Sequence, residues 1–198
     1  MTTKILVLYY SRNGSVRAMM HEIVKGVESV HACEAMIRTV PPVAPMTEAH
    51  QHEAPEEKHL YVTVEDLKSC HGLIMGSPTR FGNMAAPLKY FWDTTGKEWF
   101  SGTLIGKPAA FFTSTSTMHG GQETTLLSMM IPLLHHGAIL VGVPASVPET
   151  LSTQTGGSFY GATHVAGTAG SAALSQEEIT ICRALGKRLA EVATKLSR

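Results

Sequence analysis

Lys4-Ile5-Leu6-Val7-Leu8-Tyr9-Tyr10-Ser11-Arg12-Asn13-Gly14-Ser15-Val16 is the stretch on which the fold turns. Ile5 to Tyr10 form an unbroken apolar and aromatic run. Such a run is short for a helix and suits a strand buried on both faces. It stops in small polar residues and a glycine. Val16, Met19, Met20, Ile23, Val24 and Val27 then repeat at helical spacing. Strand, polar loop and helix N-terminus follow one another directly. Backbone N–H groups at such a junction lack partners and the helix dipole is positive there, so an anion is favoured. Ser11 and Ser15 add hydroxyls. The loop has neither the dinucleotide pattern Gly-x-Gly-x-x-Gly nor the P-loop lysine. Read alone, it is equally an ordinary strand–helix turn; a phosphate bound there would be held by hydroxyls and backbone.

The same pattern recurs along the chain. Glu34–Thr39 reads as a second strand. Gly72–Gly76 reads as a third, breaking into Ser77-Pro78-Thr79-Arg80-Phe81-Gly82-Asn83-Met84. A helix follows with Met84, Leu88, Phe91 and Trp92 on one face. Lys107–Phe112 reads as a fourth strand, ending in the hydroxyl run Thr113-Ser114-Thr115-Ser116-Thr117 and then Met118-His119-Gly120-Gly121. A helix is expected from about residue 122 to 136, and a fifth strand at Ala138–Val143. Thr63-Val64-Glu65-Asp66 and Ser175-Gln176-Glu177-Glu178 are capping boxes that open helices. The second starts a final helix with Ile179, Cys182, Leu185, Leu189, Val192 and Leu196 on one face.

Five strands alternating with helices predict a single α/β domain over residues 1–198. Its sheet is parallel and covered on both faces by right-handed crossovers. Residues 144–175, rich in glycine, serine and threonine, read as a long irregular excursion. In such a sheet, ligands bind outside the carboxyl ends of the strands. The loops at 11–15, 77–84 and 113–121 all leave strand ends, so they converge on one edge. Many neutral donors beside a helix N-terminus, with some flat apolar surface, suit a phosphate joined to a planar heteroaromatic ring.

Composition narrows the partners. Lys+Arg and Asp+Glu each total 16 in 198 residues, and no basic block argues for nucleic acid. No apolar run is long enough to span a membrane, and no signal-peptide pattern opens the chain. The cytoplasm is the expected location. Cys33, Cys70 and Cys182 form no Cys-x-x-Cys pair and read as buried thiols. His50-x-His52 is a two-residue metal pattern in a proline-rich loop, where histidines are ordinarily solvated; no metal is expected.

Ser11–Ser15, Gly76–Met84, Gly120-Gly121-Gln122-Glu123, His135-His136-Gly137, Tyr160-Gly161-Ala162-Thr163 and Ser175–Glu178 together resemble the WrbA family. These are flavodoxin-like NAD(P)H:quinone oxidoreductases. The resemblance runs over nearly the whole chain and is weakest at residues 40–62. It implies a sheet of order 2-1-3-4-5, FMN as cofactor, NADH or NADPH as donor, a quinone as acceptor, and a homotetramer whose sites are completed by neighbouring subunits.

By the same resemblance, Ser11, Arg12, Asn13, Gly14, Ser15 and Val16 wrap the FMN phosphate. Pro78, Thr79, Arg80 and Phe81 line the isoalloxazine, as do Ser114, Thr115, Ser116, Thr117, His119 and Gly120. Trp99 and His135 match positions that flank the flavin where substrate stacks. There Trp99 forms an apolar wall and His135, with His136 as the alternative, donates to the quinone oxygen. Two half-reactions follow: NAD(P)H delivers hydride to FMN and leaves, and a quinone then takes its place and two electrons. The chain departs from the family at Asn13, where an aromatic residue that touches the nicotinamide cofactor is common. Its third loop is also bulkier and one residue longer. A flavodoxin-type electron carrier would share fold and cofactor, but such carriers are usually strongly acidic.

Overall fold

The structure, a computed structural model, describes residues 2–43 and 59–197. The His50-x-His52 pattern lies outside the described residues. The first half of the chain runs β1 (Thr3–Tyr9), α1 (Ser15–Glu28), β2 (Cys33–Thr39), α2 (Val64–Ser69), β3 (Gly72–Pro78), α3 (Ala86–Asp93) and α4 (Gly96–Phe100). The second runs β4 (Pro108–Thr115), α5 (Gln122–His135), β5 (Ile139–Leu140), α6 (Glu149–Ser152), β6 (Ala162–Val165) and α7 (Gln176–Leu196). The strands pair in parallel in the order β2-β1-β3-β4-β5. That is the order the resemblance implies.

β1 shows why the central strands are apolar throughout. Its alternate residues serve opposite faces of the sheet. Ile5, Val7 and Tyr9 pack with Met19, Ile23 and Val27 of α1 and with Leu185 and Leu189 of α7. Leu6 and Leu8 pack with Leu67 of α2, Leu88 of α3 and Leu126 and Met129 of α5. Helices α1 and α7 approach backbone to backbone. A Cβ on Gly26 would lie 2.1 Å from Arg183 O, and one on Gly186 would lie 2.2 Å from Ile23 O. This close crossing centres the buried stripe of α7 on Ile181, Cys182, Leu185, Leu189, Ala190 and Ala193, and Leu196 is left exposed. Both capping boxes form as the sequence predicts, Thr63 with Asp66 and Ser175 with Glu178.

The sheet differs from expectation at one edge. The fifth strand is only Ile139–Leu140, paired with Pro108 and Ala109. Its place beside the C-terminal half of β4 is taken by β6, which comes from the 144–175 excursion and pairs with Phe112–Thr115. The ladder that β6 supplies lets β4 run on to Thr115, so part of the hydroxyl run is buried strand and not loop. Thr113 Oγ1 donates to Ser77 O at 2.7 Å, which satisfies its hydroxyl inside the sheet.

Candidate functional site

The first loop is shaped by Ser11 and Gly14. Gly14 takes φ +91°, a conformation that glycine adopts without steric cost, and caps α1 with no side-chain hydrogen bond. Ser11 Oγ accepts from Gly14 N at 3.1 Å and from Arg17 N at 3.4 Å, so the loop curls over its own hydroxyl. The N–H groups of Ser15 and Val16 have no acceptor among the described residues. No acidic side chain occupies the first turn of α1. The positive end of the helix dipole therefore stays open to an anion.

The second loop is a tight hairpin. Arg80 N donates to Asn83 O at 2.8 Å and Asn83 N donates back to Arg80 O at 3.0 Å. Between them Phe81 has φ +52° and Gly82 φ +77°, the signs of a type I′ turn. A phenylalanine at positive φ is uncommon and carries strain. Its ring is fully exposed, 102 % of the reference area.

Thr79 joins this hairpin to its neighbours. Its N–H donates to Ser114 O at 3.0 Å. Its Oγ1 accepts from Thr125 Oγ1 at 2.8 Å and from Gly82 N at 3.3 Å, and faces Gly120 O at 3.5 Å. The third loop leaves β4 at Thr115, whose Oγ1 donates to Thr117 O at 2.8 Å. Gln122 Nε2 holds its crest, donating to Thr117 O at 3.0 Å and Met118 O at 2.6 Å. Gly121 caps α5 at φ +92°, and a Cβ there would lie 3.0 Å from Gly82 Cα. The second and third loops thus meet backbone to backbone.

The three loops enclose a cleft of about 80 Å³. From the first, Ser11, Arg12, Asn13, Ser15 and Val16 face it; from the second, Pro78, Thr79 and Arg80; from the third, Ser114, Thr115 and Ser116. Gly14, Phe81, Thr117, His119 and Gly120 belong to the same loops without lining this cleft. Every polar group lining it is a hydroxyl, an amide, a backbone group or an arginine; no carboxylate is among them. That donor set fits a phosphorylated cofactor. Sequence reading missed two wall residues, Ala166 and Gly170, which follow β6. The signal was present: Ala162–Ala166 is a short, largely apolar run bounded by glycines.

Trp99 and His135 lie elsewhere in the chain. They line a second cavity of about 440 Å³ with Trp92, Ile131 and His136. Trp99 Nε1 donates to His135 O at 2.8 Å. His135 ends α5 while the second and third loops sit at its start, a separation of about 20 Å for a helix of this length. A single chain therefore does not bring them together. His135 is exposed, whereas His136 is buried and structural. Thr95 Oγ1 donates to Trp92 O at 2.7 Å, so it accepts from His136 Nε2 at 3.1 Å. Burial pushes the His136 pKa down and favours the neutral ring.

A family model described as NADPH-dependent FMN reductase matches residues 3–150, which include all three loops. The chain belongs to that family. It is 43 % identical over 206 residues to a protein named NAD(P)H dehydrogenase (quinone) from Syntrophobacter fumaroxidans, covering 98 % of this chain and 99 % of that one. A protein of the same name from Gluconacetobacter diazotrophicus is 43 % identical over 198 residues, with the same coverage. Among solved structures, a flavodoxin, WrbA-like protein from Agrobacterium tumefaciens superposes with a TM-score of 0.69 at 20 % identity, covering 98 % of this chain and 99 % of that chain. Oxidised Flavodoxin 2 from Bacillus cereus superposes with a TM-score of 0.61 at 18 % identity, covering 98 % of this chain and 99 % of its own. These likenesses establish the flavodoxin-like fold. Among the described residues of this family member, no group of three or more His, Cys, Asp or Glu could hold a metal. Among the described residues, no helix is long and apolar enough to cross a membrane.

Proposed function

We propose that this protein is an FMN-dependent NAD(P)H:quinone oxidoreductase of the WrbA type, working in the cytoplasm as a homotetramer. The observation that carries the reading is the convergence of three hydroxyl-rich strand-end loops on one carboxylate-free cleft at the open N-terminus of α1. The names of the relatives at 43 % identity support the donor and the acceptor.

When bound, FMN supplies the redox chemistry, taking hydride from NAD(P)H and returning two electrons to a quinone. The protein binds and orients. The N–H groups of Ser15 and Val16, with the side chains of Ser11, Asn13 and Ser15, hold the phosphate. The enclosed volume, about 80 Å³, would suit the phosphate, and Arg80 and Ser116 would be available to the rest of the cofactor. The Arg80 guanidinium would supply positive charge to a bound flavin. The Thr79 hydroxyl keeps the second and third loops in register.

Trp99 and His135 complete the site of a neighbouring subunit in this reading. The tetramer is supported by an uncovered apolar face. Leu127, Ile131 and Leu134 recur at i, i+4 and i+7 along α5 and are 42 %, 59 % and 56 % exposed, beside Trp99 at 51 %. The opposite face of α5, with Leu126, Met129, Met130 and Leu133, is already buried in the core. A helix apolar on both sides is a buried helix, and an exposed apolar patch of this kind marks an interaction surface.

The test is optical. Protein loaded with FMN is yellow, is bleached by NADPH without oxygen, and regains its colour on addition of benzoquinone. FMN that binds but stays oxidised in NADPH and NADH would favour the electron-carrier reading instead.

A further inference from the structure

One buried ionisable pair takes no part in the scheme above. His164 of β6 and Glu178 of α7 are each 1 % exposed. His164 Nδ1 lies 2.8 Å from Glu178 Oε2, and Nε2 lies 3.2 Å from Ala172 O. Both ring nitrogens face oxygen atoms. Glu178 in turn grips three separate points of the excursion. Its Oε1 accepts from Gly156 N at 2.8 Å and Val165 N at 3.2 Å, and its Oε2 accepts from Ser175 N at 2.8 Å. Burial alone would raise the pKa of this carboxyl. The His164 bond and the backbone donors at Ser175 and Gly156 outweigh burial and hold it below the usual range.

What the pair holds is a wall of the cleft. Ala166 and Gly170 line the phosphate end, and Ser15 Oγ donates to Gly170 O at 3.3 Å. A Cβ on Gly170 would lie 3.3 Å from Asn13 Nδ2, so this segment sits against the first loop. Residues 167–173 are small, and none of their side chains makes a hydrogen bond among the described residues. The anchors of the segment are Ala166 N to Thr115 O at 2.7 Å, the Ser15–Gly170 bond, its own turn bonds, and the His164–Ala172 contact. A buried polar pair is a poor device for stability alone, because apolar residues of similar volume usually serve as well. Its value lies in fixing a geometry.

We infer that the His164–Glu178 pair is a positioning clamp that sets residues 166–172 as the wall of the phosphate end of the cleft. It couples the side-chain contact between β6 and α7 to the affinity for a phosphorylated flavin, and rests on the FMN reading in that respect. His164 and Glu178 touch no ligand; they act through Ala166 and Gly170.

The test compares His164→Phe, which fills the space without donating, with Ser175→Ala, which removes the cap hydroxyl that accepts from Glu178 N at 3.1 Å but leaves the pair intact. FMN and riboflavin affinities are read by flavin fluorescence, and hydrogen exchange is read on the flavin-free protein. His164→Phe weakens FMN by about tenfold, the loss of one good hydrogen bond's worth of ordering, and riboflavin by less than about twofold. Ser175→Ala shifts neither by more than about twofold although it lowers stability. The amides of Gly170 and Ala172 exchange at least about tenfold faster in His164→Phe. Should that variant not fold, His164→Gln, whose one amide replaces the two ring contacts, carries the same comparison. The clamp is refuted if the His164 variant binds FMN like wild type, loses both flavins equally, or is matched by Ser175→Ala. A wild-type protein that binds no FMN would sink the functional reading, and the exchange rates would still decide the clamp.

Discussion

Replacing Thr79 by valine removes one oxygen from the point where the second and third loops and α5 meet. Valine keeps the shape of the side chain, so packing is preserved. Three hydrogen bonds go: that from Gly82 N at 3.3 Å, that with Thr125 Oγ1 at 2.8 Å, and the long one donated to Gly120 O at 3.5 Å. A hydrogen bond contributes a net ~0.5–1.5 kcal/mol. Thr125 Oγ1 retains Gly121 O at 2.7 Å, which lessens its share. The expected destabilisation is about 1–2 kcal/mol, or about 3–6 °C in melting temperature for a chain of this size. The loops must be ordered again when flavin binds. If that whole cost falls on binding, FMN affinity weakens about fivefold to thirtyfold. Thermal unfolding of the flavin-free protein and a flavin fluorescence titration measure the two effects, and Thr79→Ser restores both. A Thr79→Val protein that melts and binds FMN like wild type would refute the view that this hydroxyl holds the loops together.

Other outcomes follow from single residues. Gly76→Ala places a Cβ 2.1 Å from Phe112 Cζ, and Phe112 is fully buried, so urea unfolding moves to lower concentration by the equivalent of about 1–3 kcal/mol; trimming the ring in Gly76→Ala/Phe112→Leu recovers part of it. Glu178 and Asp66 are held below their ordinary values of 4.5 and 3.8. For Asp66, burial works against ionisation and the Arg38 bond outweighs it. A carboxyl lowered in the folded state contributes stability that is complete above its unfolded pKa and lost as pH falls through its folded pKa. The melting temperature therefore declines below about pH 4.5, and Glu178→Gln is less stable at neutral pH with a flatter acid limb. Asn13 is exposed at the cleft rim, so Asn13→Tyr adds a stacking surface there and lowers KM for the nicotinamide donor; an unchanged KM would show that position 13 does not touch the nucleotide.

Much of the architecture was legible because period and punctuation agreed. The apolar runs of β1 and β3 each end in a polar loop that opens onto a helix, and strand order puts those loops on one edge whatever their details. The capping boxes at Thr63 and Ser175 marked helix starts to the residue. The excursion was read less well. β6 is four residues long and pairs with β4, so its short apolar run between glycines is a weak local signal that its tertiary partner completes. With β6 unseen, Thr113–Thr115 read as loop because hydroxyl runs usually are, and Ala166 and Gly170 stayed hidden as cleft walls. Trp99 and His135 illustrate a different gap. Resemblance placed them beside the flavin, while the chain holds them about 20 Å away at the far end of α5. Only an assembly can join the two, and assembly is written in surface shape more than in sequence period.

The most direct measurement is the titration of flavin-free protein with FMN and, separately, with riboflavin. The account predicts one FMN per chain at micromolar or tighter affinity. Riboflavin binds at least about tenfold more weakly, since it forgoes the charge-assisted hydrogen bonds that the first loop and the α1 N-terminus offer a phosphate. Failure to bind FMN at micromolar concentrations, or equal affinity for the two flavins, would contradict the assignment of the Ser11–Val16 loop as a phosphate anchor and with it the reading of the cleft.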